Sequence, residues 1–177
     1  MNASLKSFVG EQFLHEFSGT LLGIKFLKGI ILSDESTGFR FLDHMTDAEI
    51  EVYGSNLGES FENAGKAVET LMVDLESVRP LELKSVDLAG RDLGSLLYQW
   101  IESLIELQEG EGLIFSWFRC GVFKKADGTF NLKAELKGEK FDPSRHEQKT
   151  AIKAPTFHDM KITEDKDRVT MRFLVDL

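Results

Sequence analysis

The sequence predicts an α+β fold of two layers, with two helices packed on one face of a largely antiparallel mixed sheet. Three observations predict it. Apolar and polar residues alternate in several short segments, as in half-buried strands. Two longer segments carry apolar residues at helical spacing. An Asp127-Gly128 pair between two alternating runs supplies the positive φ of a tight hairpin turn.

Taken in order, Ala48, Ile50 and Val52 alternate with Asp47, Glu49, Glu51 and Tyr53, giving a strand with one acidic face. Asn56 followed by Glu59 reads as a capping box, after which Leu57, Phe61, Ala64, Val68, Leu71 and Met72 mark the first helix. Leu81, Leu83, Val86 and Leu88 mark a strand with one slip in phase. Asp92 caps a second helix whose stripe is Leu93, Leu96, Leu97, Trp100, Ile101, Leu104 and Ile105, ended by Gly110 and Gly112. Leu113 to Lys125 is an aromatic-rich strand, and Phe130 to Leu136 is its return across the hairpin. Asp142-Pro143 breaks the sheet. Segments 151–156 and 157–162 read as strand pieces bent at Pro155, and Val169 to Val175 is the last strand.

The 177 residues fit one domain with an appendage. Residues 1–37 keep neither a helical nor a strand period and are read as a poorly ordered N-terminal extension, a short docking helix being the other reading. Residues 38–177 are read as the domain. A hydrophobic content of 42% excludes a wholly disordered chain. A net charge of −9 argues against a protein that grips nucleic acid by itself. It suits one that binds cations or a basic partner. Cys120 is the only cysteine, so neither an internal disulfide nor a multi-cysteine zinc site exists in this sequence. No segment has the length and apolarity of a membrane span. The expected location is cytoplasmic, with no membrane partner.

The densest polar cluster is Asp43-His44-Met45-Thr46-Asp47, at a strand junction. Carboxylates are hard oxygen ligands suited to calcium or magnesium. On residue physics alone a hydrogen-bonded turn is the stronger reading. Asp176 lies on the polar side of the last strand, as Asp47 does on its own strand. If those strands are neighbours, the carboxylates share a face and the carbonyl of Leu177 is close by; a solvated acid at a frayed end is the competing reading. Lys153 could meet a phosphate or orient such ligands, or be a surface lysine. No Walker loop, nucleophile elbow or metalloprotease motif is present in the sequence.

Three segments in register resemble the archease family. They are Phe41-Leu42-Asp43-His44-Met45-Thr46-Asp47, then Ile152-Lys153-Ala154-Pro155-Thr156-Phe157-His158-Asp159-Met160, and finally Val175-Asp176-Leu177. The Asp92-Leu93 helix start with Leu96, Leu97 and Tyr98 also agrees. Met45-Thr46 and Pro155 depart from the family's usual residues. The resemblance implies a non-enzymatic accessory protein in tRNA splicing. It would activate an RtcB-type RNA ligase by promoting its guanylylation and multiple turnover, meeting RNA only indirectly through the ligase. It also implies a divalent-metal site, calcium or magnesium, at Asp47, Asp176 and Leu177, with Lys153 as a functionally sensitive residue. The alternatives are a metal-dependent hydrolase or phosphotransferase acting on nucleotide or RNA, and a chaperone of a tRNA-modifying enzyme.

Overall fold

A computed structural model describes residues 38–42 and 47–177. The reading of residues 1–37, and the positions of Asp43, His44, Met45 and Thr46, lie outside the described residues. The elements follow the order β1 (Phe39–Leu42), β2 (Asp47–Gly54), α1 (Leu57–Met72), β3 (Glu82–Gly90), α2 (Leu93–Glu111), β4 (Leu113–Lys124), β5 (Phe130–Lys140), β6 (Ala154–Glu164) and β7 (Val169–Asp176). This is the α+β class expected.

The strands divide between two sheets. One has the order β1-β2-β7-β6 and the other β3-β5-β4. Every named pairing is antiparallel. Alternation shows which side of a strand is buried but not which strand it pairs with, so the split could not be read from the pattern. The break comes after β5, at Asp142-Pro143, from where the chain returns to pair with β7 instead of β4. Both helices contact both sheets: α1 touches β2 and β4, and α2 touches β6 and β3. That accounts for their different burial. α1 is buried on most sides, polar positions Ser60, Asn63 and Glu69 included, whereas α2 buries one stripe of Leu96, Leu97, Trp100, Ile101, Leu104 and Ile105. The Trp100 indole N–H donates to the Phe61 carbonyl at 2.9 Å and ties the helices together inside the core.

The helix ends follow the sequence closely. The Asn56 side chain accepts from the Glu59 N–H at 3.0 Å, while the Glu59 carboxylate turns back to the Ser55 N–H at 2.7 Å. Asp92 and Ser95 cap each other reciprocally at the start of α2. Gly110 lies inside α2, and the helix stops one turn-half later at Gly112, whose φ of 67° is the left-handed conformation a side chain would strain. The last carbonyls of α1 are met from a distance. Leu71 and Met72 accept from the Thr150 and Lys149 N–H groups at 3.1 and 3.0 Å.

Two strand irregularities were not foreseen. Ser116 is an extra residue in β4, between Phe115 opposite Gly138 and Trp117 opposite Lys137. It shifts the side-chain phase, so Phe115 and Phe118 both enter the core while Trp117 faces out. Gly138 is needed there because a Cβ would lie 1.8 Å from the Ile114 carbonyl oxygen. In β6 the bend falls beyond Pro155, which itself pairs across with Val175. β6 is an edge strand, where a missing N–H is tolerated. Thr156 opposes Leu174 and Lys161 opposes Arg172, so residues 157–160 bulge out. The strand begins at Ala154, three residues later than expected.

A polar cluster closes the far end of β5. The buried Glu139 carboxylate accepts from the Arg79 backbone N–H at 2.8 Å, from the Arg79 guanidinium at 2.8 Å and from Arg145 at 2.6 Å. His146, also buried, accepts the Asp142 N–H on Nδ1 at 2.9 Å, which leaves Nε2 to donate to Glu139 at 3.3 Å. The Arg79 hydrogen bonds, opposed by burial and helped by Arg145, hold the Glu139 carboxyl far below the ordinary carboxylate range. Glu139→Ala strands several donors at once. It should cost on the order of 3 kcal/mol and lower Tm by roughly 10 °C in a thermal melt. A loss too small to resolve would mean that water replaces the carboxylate without cost.

Candidate functional site

β2 and β7 place the two predicted carboxylates directly against each other. Asp47 is the cross-strand partner of Asp176. Ala48, Ile50 and Val52 on β2, with Val175, Phe173 and Met171 on β7, turn into the core, so the alternate residues Asp47 and Asp176 share the opposite face. β6 completes the corner. Ala154 pairs with Asp176 on its other side, and the Lys153 N–H donates to the Asp176 carbonyl at 2.8 Å. The Lys153 ammonium donates to the Leu177 carbonyl and stands 3.8 Å from Asp176 Oδ1. Both side chains are open to solvent, Lys153 at 67% and Asp176 at 56% exposure, so a ligand or partner can reach them. All four predicted site residues thus meet at one corner of the four-stranded sheet.

Like charges directly opposed on a sheet face are destabilising unless compensated. Here Lys153 supplies one positive charge beside one of the two acids. The donors are all hard oxygens, two carboxylates and the Leu177 carbonyl, which suits calcium or magnesium rather than a softer metal. Among the described residues no group of three or more His, Cys, Asp and Glu side chains could hold a metal. Two carboxylates and one carbonyl would leave a divalent cation most of its shell as water, as magnesium commonly keeps.

The same face continues as a ladder of charged pairs. Glu49 pairs with Arg172 and Glu51 with Arg40. Tyr53 donates to Glu51; burial, then that hydrogen bond, push its phenol up to about 12. Arg168 lies 4.0 Å from the centre of the Tyr53 ring, an attractive cation–π placement. The β6 bulge borders this ladder. Phe157 stacks on Tyr98 of α2 with ring centres 4.4 Å apart and planes 6° from parallel. Asp159 takes a φ of 52°, in the left-handed region that Asp tolerates better than most residues. The bulge anchors β6 to α2 next to Lys153. Sequence reasoning missed it, because extra strand residues leave no mark in an alternation that is already irregular.

Over residues 39–177 the sequence matches the Archease protein family (MTH1598/TM1083). The chain belongs to the archease family. A protein archease from Sulfurisphaera tokodaii is 42% identical over 139 residues, 78% of this chain and 98% of that protein. One from Pyrococcus abyssi is 40% identical over 133 residues, 75% of this chain and 93% of that protein. The solution structure of a Methanobacterium thermoautotrophicum protein aligns with a TM-score of 0.69 at 33% identity, covering 80% of this chain and 99% of that one. A Thermotoga maritima crystal structure, described as an archease and possible chaperone, aligns at 0.51 over 77% of this chain and 94% of that one. At 19% identity it supports the archease fold alone. Among the described residues no helix is long and apolar enough to cross a membrane.

Proposed function

We propose that this archease-family chain is a cytoplasmic, non-enzymatic activator of an RtcB-type RNA ligase. It promotes the ligase's guanylylation and multiple turnover through a divalent cation held at Asp47, Asp176 and Leu177. The observation that carries this reading is the opposition of Asp47 and Asp176 with Lys153 beside them. The cation, calcium or magnesium, supplies concentrated positive charge able to bind an anionic group. Asp47 and Asp176 would hold it, with the Leu177 carbonyl as a neutral third donor. Lys153, exposed beside those oxygens, is placed to meet a phosphate or an acidic group of the ligase. An acidic chain also approaches a basic, RNA-binding enzyme with favourable long-range attraction.

The test is ligation of RNA ends by purified RtcB-type ligase, with ligase limiting, with and without this chain. Many turnovers with the chain and about one without it support the reading. Turnover of nucleotide or RNA by the chain alone would replace it with a metal-dependent hydrolase or phosphotransferase. Equal ligation with or without the chain, together with protection of a tRNA-modifying enzyme from aggregation, would replace it with the chaperone suggested by the description of the Thermotoga relative. Lys153→Ala separates the roles within the site. It should lower multiple-turnover ligation by roughly tenfold or more, the scale of losing one charged contact with a partner. Cation affinity should stay the same or rise, because an ammonium competes with the cation for the same oxygens. A matching loss of cation affinity in calorimetry would make Lys153 part of the metal site's structure instead.

A further inference from the structure

The outer face of the three-stranded sheet exposes aromatic and basic side chains together. Its core face carries Leu132, Ala134 and Leu136 of β5. The register places Leu83, Lys137 and Trp117 in one row across the opposite face, then Ser85, Glu135 and Arg119, then Asp87, Lys133 and Gly121, then Ala89, Asn131 and Phe123. Two aromatic rings are therefore exposed on one strand: Trp117 at 36% and Phe123 at 56%. The Phe123 ring folds back along β4 over Gly121, where an added Cβ would meet its Cε2 and Cζ at 3.1 Å. A ring lying over a glycine on a sheet surface leaves its other side open to stacking. The Lys137 ammonium sits 4.7 Å from the centre of the Trp117 ring. Beside the rings, an open trough of about 580 Å³ is lined by Asp87, Arg119, Gly121, Lys133 and Glu135. That volume is within the range of small-ligand sites.

The charge of this face departs from that of the chain. The sequence carries 30 acidic and 21 basic side chains, yet the face has Arg119, Lys133 and Lys137 against Asp87 and Glu135. Lys133 lies 3.9 Å from Asp87, but among the described residues no ion pair joins a carboxylate to Arg119 or Lys137. Cations left unpaired in an acid-rich protein, set between open aromatic rings, match a polyanion with flat bases. Single-stranded nucleic acid is bound in this way, by stacking on aromatic side chains while cations follow the backbone. Sheets that recognise RNA use the same combination of exposed rings and positive charge.

The geometry points to this sheet face as a weak, sequence-tolerant binding surface for single-stranded RNA, with Phe123 and Trp117 as stacking rings and Arg119, Lys133 and Lys137 on phosphates. Net charge averages over the whole surface, and this face is where the average misleads. The inference stands apart from the cation corner and from the ligase reading. It gives the chain its own contact with RNA.

Trp117 provides a direct readout, since the other tryptophan, Trp100, is fully buried. Adding an oligouridine of about 10 nucleotides to the full-length chain should quench Trp117 fluorescence and raise the anisotropy of a labelled strand. Three phosphate contacts give a log–log salt dependence of affinity with a slope of about −2. Phe123→Ala and Lys137→Gln, both at exposed positions, should each weaken binding roughly tenfold with unchanged circular dichroism. Absence of binding at low salt would overturn the inference. So would binding that both variants retain in full, or sedimentation showing this face covered by a second copy of the chain. None of these results depends on whether the ligase is activated.

Discussion

The Asp47→Ala chain should fold normally, bind no calcium or magnesium in a calorimetric titration, and fail to support multiple-turnover ligation. The residue lies on the face of β2 away from the core, so its removal takes little from packing. What it takes away is one of two opposed charges. Without a cation, the variant loses a cross-strand repulsion of about 0.2–1 kcal/mol between the two opposed acids. With cation, the advantage reverses. The parent gains about 2.7 kcal/mol at a cation concentration 100-fold above its Kd, and the variant gains nothing. Asp176→Ala should behave in the same way, with one difference. It also frees Lys153 of its neighbouring carboxylate, 3.8 Å away. Melting curves with and without calcium, run beside the ligation assay, check each step. A folded Asp47→Ala chain that activates the ligase fully would remove the cation corner from the mechanism.

Glu69→Gln should flatten the pH dependence of stability and raise Tm at pH 8. Glu69 is fully buried in α1, and no cation or polar side chain meets either carboxyl oxygen; the Phe115 backbone amide is the one polar group that faces it among the described residues. Burial pushes its carboxyl up to about 8, with the Phe115 backbone amide pulling weakly the other way. Folded, the group stays protonated through neutral pH; unfolded, it loses its proton near its ordinary 4.5. Its stabilising contribution is therefore complete below about 4.5 and falls as pH rises toward about 8, beyond which the slope ends. At 1.36 kcal/mol per pH unit the loss across that window is on the order of 5 kcal/mol. Glu139 acts in the opposite direction. Its carboxyl is depressed in the folded chain, so its contribution is present at neutral pH and lost on acidification. Stability should therefore peak on the acid side of neutrality and decline toward pH 8. Parent and Glu69→Gln curves that run parallel from pH 5 to pH 8 would show that Glu69 is ionised in the folded chain.

Much of this was legible in the sequence, and the parts that were not share a cause. Period and capping chemistry are local, so α1, α2 and the β4–β5 hairpin came out near their observed places. The parity of Asp47 and Asp176 was local too, and it put both acids on the outward side of their strands. Their meeting was not local: it needed β2 and β7 to be neighbours, and the family resemblance suggested this where alternation could not. The bulge at Ser116 explains why Phe115 and Phe118, three residues apart in a strand, are both in the core. Glu69 could have been noticed. It lies four residues after Gly65 and three before Met72, on a buried side of the helix, where a carboxylate is out of place. The Glu139 cluster joins residues 60 apart in sequence, and no spacing rule reaches that far.

The pairing of β2 with β7 has a consequence for how the protein assembles. Side chains alternate with a period of two, so sliding β7 by a single position would carry Asp176 toward the core and bring an apolar neighbour opposite Asp47. A slipped isomer could not gather the two carboxylates, and it would bury a charge as well. Cation binding at this corner would therefore depend on correct strand alignment. A chain that answers calcium in solution would, by that response alone, report that β2 and β7 are in step.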